Sequence, residues 1–186
     1  MTNILVVADI KQGVLKGSTA ELLSKARALG AATAAVAVGS NVADLAPQLA
    51  AAGSDTWYIA DDPSLEIFSA APFAAAVVEA AKAFSADMVW FGFSETGKAA
   101  APRVAAQLTA ACATEIIDVT IDGDAVHIVR PAIANKVLQK VKINVPKLVA
   151  VVRAGAFEAD PEANGTENVV TLDPPEKDMA AVVKEL

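Results

Sequence analysis

Cysteine and histidine each occur once in the 186 residues, as Cys112 and His127. A single thiol cannot close an internal disulfide, so the chain is not a stapled secreted scaffold. A zinc site draws about four ligands from Cys, His and carboxylates, and no clustered spacing offers a metal such a set. Aromatic residues make up only 5%. Much of the 54% apolar share is alanine, which favours close-packed helices over large aromatic pockets. Basic residues are outnumbered 15 to 22 by acidic ones, for a net charge of −7, and they are scattered. No nucleic-acid partner is expected of such a surface. Mean hydropathy is +0.43. Even so, no stretch of about 20 residues is free of charge or turn residues, so no membrane insertion is expected. The N-terminus has no basic region and no cleavage site. The expected location is cytoplasmic, or the mitochondrial matrix if a leader has been removed.

What is present is a rhythm. Residues 4–8 (ILVVA) are a continuous, largely β-branched run, the mark of a strand buried on both faces. Residues 9–17 read as turn. Ser18 precedes Glu21 by three positions, a capping-box spacing for a helix reaching about Leu29, and Gly30 suits the position beyond it. The unit then repeats. A strand at 33–38 is followed by a turn and a helix ending near Gly53. A strand at 56–60 is followed by a short helical segment from Asp62–Pro63, then a helix over 73–84 with Pro72 in its first turn. A strand at 87–91 precedes a loop at 92–97 and a helix over 98–108. Strands alternating with helices in this way predict parallel βαβ units.

After Thr109 the pattern changes. Residues 116–121 and 125–129 flank Asp122–Gly123–Asp124 and predict a hairpin. Residues 136–143 alternate charged and apolar side chains, as a half-exposed strand does. Residues 147–152 (KLVAVV) read as a last buried strand. The fold class is therefore α/β: a doubly wound, mainly parallel sheet with helices on both faces and an added antiparallel hairpin. From Gly155 the composition turns to Glu, Asp, Pro, Asn and Gly. That divides the chain into a domain at 1–157 and a linker or tail at 158–186. Within the tail, 169–172 has strand character and 179–186 helical character.

The candidate chemistry is sparse. Ser94, Thr96, Gly97 and Lys98 stand at a helix start that follows a strand, where an open α/β sheet places its ligand. Backbone N–H groups, hydroxyls and a cation there suit an anion or a nucleotide cleft. The same residues also suit an ordinary cap and turn, with Lys98 solvated. The segment is not a P-loop, because the second glycine spacing is missing. Arg130–Pro131 reads as the end of a strand, with Asn135 nearby, and a buried arginine there needs a carboxylate partner. His127 reads as a solvent-facing residue of an exposed-edge hairpin, Cys112 as a small buried thiol, and Trp57, Trp90 and Phe91 as core. Asp61–Asp62 fits an N-cap better than a cation site. No nucleophile–base pair is visible, so no catalytic residue is expected.

Several segments, in order, resemble the N-terminal region of electron transfer flavoprotein alpha subunits. They are the opening 4–8 with Ser18-Thr19-Ala20-Glu21-Leu22-Leu23, the step Ala60-Asp61-Asp62-Pro63, and Thr96-Gly97-Lys98-Ala99-Ala100-Ala101-Pro102-Arg103-Val104. Val129-Arg130-Pro131 and Val152-Arg153-Ala154-Gly155-Ala156-Phe157 complete the series. The family commonly has an aromatic residue and a Gly-Asn pair after the Arg-Pro step. Here the run is Ala132-Ile133-Ala134-Asn135, and only Asn135 matches.

The resemblance implies an adenine nucleotide alpha hydrolase-like, Rossmann-like fold. It further implies a non-catalytic scaffold, with Arg103, Arg130 and Asn135 as interface or structural candidates. The expected partner is an electron transfer flavoprotein beta subunit carrying AMP. The complete heterodimer would meet dehydrogenases and a quinone reductase. FAD belongs to that heterodimer and is held mainly by a C-terminal domain whose Gly-rich fingerprint this sequence does not contain. None is expected on this chain alone, which reads as an isolated domain or a short form. The competing expectation is an adenine-nucleotide-binding module of the universal-stress type. That class carries a glycine-spaced phosphate loop late in the chain, whereas residues 130–141 contain no glycine.

Overall fold

The computed structural model describes residues 2–175 apart from 124 and 167. The helical character expected at 179–186 and part of the Asp122–Gly123–Asp124 turn lie outside the described residues.

Strand β1 (Asn3–Val7) alternates its side chains between two cores. Ile4 and Val6 enter one, Leu5 and Val7 the other, as a strand covered on both faces requires. A small hairpin follows, β2 (Ile10–Lys11) with β3 (Val14–Leu15), where the sequence pattern predicts only turn. Helix α1 (Gly17–Ala28) starts two residues earlier than the capping-box spacing predicts, with Lys16 rather than Ser18 as its N-cap. Ser18 thus sits inside the first turn, and its Oγ is buried without a partner. Glu21 instead accepts a hydrogen bond from the Gly155 amide at 2.9 Å.

The repeating units come next. Strand β4 (Ala32–Gly39) leads through a 3-10 turn at Ala43–Leu45 to helix α2 (Ala46–Ala51). Strand β5 (Trp57–Asp61) leads through a 3-10 turn at Pro63–Leu65, capped by Asp62, to helix α3 (Ala70–Ala83). Strand β6 (Met88–Gly92) leads to helix α4 (Glu95–Leu108).

The second half departs from simple repetition. Strand β7 (Ala111–Ile116) is absent from the sequence-based expectation, because Ala-Cys-Ala-Thr-Glu-Ile lacks a continuous apolar run. Strands β8 (Asp118–Asp122), β9 (Ala125–Ala132) and β10 (Val137–Ile143) form a separate antiparallel sheet with β9 in the middle. Pro131 therefore lies within β9, paired in register with Leu138, and does not end the strand. Strand β11 (Leu148–Val152) returns to the main sheet, and β12 (Val169–Thr171) adds to its far side.

The main sheet has the order β12-β5-β4-β1-β6-β11-β7, with every pairing parallel. Strand order reverses between β1 and β6, which opens a crevice at their carboxyl ends. Helices α3 and α4 cover one face over Leu5, Val7, Val89 and Phe91. Helices α1 and α2 and the three-stranded sheet cover the other, over Ile4, Val6, Trp57 and Trp90. Trp57, Trp90 and Phe91 are core residues, as expected.

The segment after Phe157 stays on the domain. The Asp160 amide donates to Ser24 Oγ and the Gly165 amide to the Ala50 carbonyl. A Cβ at Gly165 would collide with the Ser54 backbone, so only glycine permits that approach.

Candidate functional site

The crevice is built by the loops that leave β1, β4 and β6. At the end of β6 the chain turns sharply into α4. Ser94 has extended backbone and caps the helix, its Oγ accepting from the Gly97 amide at 3.2 Å. Gly97 is not part of a loop but the third residue of the helix. A Cβ there would run into the Gly92 carbonyl oxygen. The glycine lets the helix start close over the strand end rather than supplying an unusual φ.

Lys98 turns away from the crevice. It pairs with Glu95 on the same helix, and its Nζ lies 5.1 Å from the Phe93 ring centroid. Of the four anion-site candidates, Ser94, Thr96 and Gly97 line the crevice and Lys98 does not. Arg103 is exposed on α4 and forms no ion pair among the described residues.

The crevice encloses about 430 Å³, within the usual range for a small-molecule site. Its lining is partly apolar, with Val42, Leu45, Leu65, Phe68 and Phe73, and partly polar, with Asp9, Ser40, Asn41, Ser94 and Thr96. Asp61 holds the β4 loop in shape, accepting from the amides of Asn41 and Ala43 at 2.7 and 2.9 Å. Asp61 and Asp62 are thus both backbone caps, as their position before Pro63 suggests. Asp9, Ser40 and Phe68 escape a motif-based reading. Their only sequence signal is position, because each lies in a loop that follows a strand of the parallel sheet.

A second region stands apart from the crevice. At the β9–β10 turn Ile133, Ala134 and Asn135 all have positive φ, at 49°, 51° and 64°. Such a conformation strains a β-branched residue such as isoleucine. Ile133 is 73% exposed and Leu138 66%. Asn135 is tied down, its Oδ1 accepting from Arg153 at 3.2 Å, while Arg153 also pairs with Glu115 at 2.7 Å. Arg130 is half-buried on β9. Its Nε is buried without a hydrogen bond, and it has no carboxylate partner among the described residues.

Two other expectations are corrected. His127 lies on the central strand of the three-stranded sheet, half-buried between Thr120 and Lys142, and not on an exposed edge. Cys112 is exposed rather than buried, because β7 is the edge strand of the main sheet. Its thiol is still shielded enough for burial to push its pKa above the ordinary 9.0. Among the described residues no group of three His, Cys, Asp or Glu side chains stands close enough to hold a metal ion. No helix among them is long and apolar enough to cross a membrane.

A parallel sheet with its reversal at β1 and β6, and a mixed crevice at that reversal, define a doubly wound α/β domain of the nucleotide-cleft type. More specifically, residues 4–177 match the electron transfer flavoprotein domain, and the chain belongs to that family. It is 25% identical over 186 residues to the electron transfer flavoprotein subunit alpha of Bacillus subtilis, covering 98% of this chain and 57% of the relative. It is 30% identical over 182 residues to the subunit alpha of Mycobacterium tuberculosis, covering 97% and 56%. It is also 31% identical over 170 residues to subunit LctC of the lactate dehydrogenase (NAD(+),ferredoxin) of Acetobacterium woodii, covering 87% and 40%. The chain thus spans about half the length of these curated relatives. The fold class expected from the rhythm of strands and helices is the one observed.

Proposed function

We propose that this chain is the N-terminal scaffold and subunit-docking domain of an electron transfer flavoprotein alpha subunit. It performs no chemistry itself. Its partner is a beta subunit carrying AMP, and dehydrogenases and a quinone reductase meet the complete heterodimer. The electrons travel on FAD held by polypeptide outside these residues. The crevice supports that division, because its residues do not fit FAD. Asp9 and Glu66 line it, and among the described residues no lysine or arginine does. A pyrophosphate there would face two carboxylates with no counter-charge.

One observation carries the docking role: the strained, apolar tip of β9 and β10. Val137, Leu138 and Ile133 leave 45%, 66% and 73% of their surfaces exposed, all within six residues of a turn that Asn135 and Arg153 lock. Arg130 adds a half-buried cation with no partner among the described residues, a group that a carboxylate from another subunit would satisfy. A universal-stress type of nucleotide module is the weaker reading, because among the described residues the crevice has no cation for phosphate.

Co-expression with a beta subunit tests this reading. A one-to-one complex should elute together in size-exclusion chromatography. The double variant Ile133→Asp and Leu138→Glu should elute as separate chains while keeping the circular dichroism of the parent. Failure of the parent to form a complex, or an undisturbed complex in the double variant, would refute the docking role. Purified alone, the chain should show no stoichiometric flavin absorbance band.

A further inference from the structure

We infer that the crevice between β1, β4 and β6 binds a nucleoside without its phosphates. Three observations converge on this ligand class. The first is an aromatic group with spare surface. Phe68 packs edge-on against Phe73, with centroids 5.4 Å apart, yet remains 41% exposed while lining the crevice. Burying it further would stabilise the domain, so its position makes sense as a stacking wall for a flat heteroaromatic ring. Leu65 and Val42 continue that wall.

The second observation is unused hydrogen-bonding capacity in the same crevice. Asp9 is fixed by its backbone, its amide donating to Thr19 Oγ1 and its carbonyl accepting from the Lys16 amide. Its carboxylate makes no hydrogen bond among the described residues. Its Oδ2 comes within 3.5 Å of where a Cβ on Gly92 would lie, and Ser18 Oγ, buried and unpartnered, approaches the same point at the same distance. Gly92 itself lines the crevice. A free carboxylate acceptor on a fixed backbone at the end of the first strand suits the paired hydroxyls of a ribose.

The third observation is charge. Asp9 and Glu66 both line the crevice, and among the described residues no basic side chain does. The first turn of α4, otherwise the natural phosphate site, already holds Glu95 and is capped by Ser94. Lys98 is drawn off by Glu95 and Phe93. A phosphate carries about −1.5 to −2 charges at neutral pH and would meet only carboxylates. An uncharged nucleoside keeps the stacking and the ribose contacts without that repulsion.

Equilibrium dialysis and titration calorimetry of the 186-residue chain test this with adenosine, guanosine, cytidine and uridine, each beside its 5′-monophosphate and its 2′-deoxy form. At least one nucleoside should bind, with its monophosphate weaker by about tenfold or more and its 2′-deoxy form also weaker. Asp9→Asn and Phe68→Ala should each weaken the nucleoside by about tenfold, without changing the melting temperature by more than a few degrees. Asp9→Asn combined with Glu66→Gln should narrow the gap between nucleoside and monophosphate. Amide shifts at Gly92 and Gly97 on titration would place the ligand independently of any variant. The inference fails if no nucleoside binds at millimolar concentration, or if a monophosphate binds as tightly as its nucleoside. Indifference of binding to both single variants would also sink it.

Discussion

Every residue of β6 and of β11 is buried, whereas no residue of β10 is. The parallel sheet lies between two helical layers, so its strands are apolar throughout and its ligand-accessible surface is confined to the crevice at the strand ends. The three-stranded sheet has only one covered face. Ile128 and Val119 point into the core, while Lys140, Lys142 and Leu138 point away from it. The first region is fixed by packing and has little surface to offer. The second keeps apolar surface exposed at an ordered, strained turn, the feature on which the proposed docking role rests.

The sharpest way to break this contrast is to cut each region and compare the losses. Trp90→Ala should cost about 3–5 kcal/mol in urea unfolding, because it empties the centre of the parallel sheet. Equal loss from Leu138→Ala would erase the distinction. Gly97→Ala comes next, at about 1–3 kcal/mol, since its new methyl must displace the Gly92 carbonyl. A neutral result there would mean that the α4 start is loose, and that the crevice wall is not fixed as described. Arg153→Ala should cost up to about 1 kcal/mol, as partly exposed ion pairs do. It should also speed hydrogen exchange at 133–136, and unchanged exchange would show that the turn is held by other means.

The smallest expected effect concerns Cys112. Its thiol is pushed above the ordinary 9.0 by burial, so less of it is thiolate at neutral pH. Iodoacetamide should alkylate it more slowly than a free cysteine at pH 7.5, and its rate should level off at a higher pH than that of a free cysteine. Fast alkylation at neutral pH would contradict the shielding.

Most of the parallel half was legible in the chain. Runs such as 4–8, 87–91 and 147–152 are continuous and apolar because both faces of those strands are covered. β7 was not, since an edge strand needs only one apolar side and its sequence, with Cys112 and Glu115, looks like the end of a helix. The capping box at Ser18 and Glu21 also misled. Its spacing is right, but Glu21 found a better donor in Gly155, more than a hundred residues away. Ser94, Thr96 and Gly97, chosen because they start a helix after a strand, line the crevice. Lys98 does not, because a local partner at i−3 draws it away from the opening. Asp9 and Phe68 carried no motif at all.

Hydrophobic periodicity and turn residues alone determined that this chain is an α/β domain with parallel strands and an antiparallel addition, because burial on one face or two writes itself into the order of side chains. Only the tertiary structure decided what the crevice offers and what the outer sheet exposes. Both depend on which loops and side chains meet across long separations, and on whether a charge such as Lys98, Arg130 or Asp9 finds its partner at home.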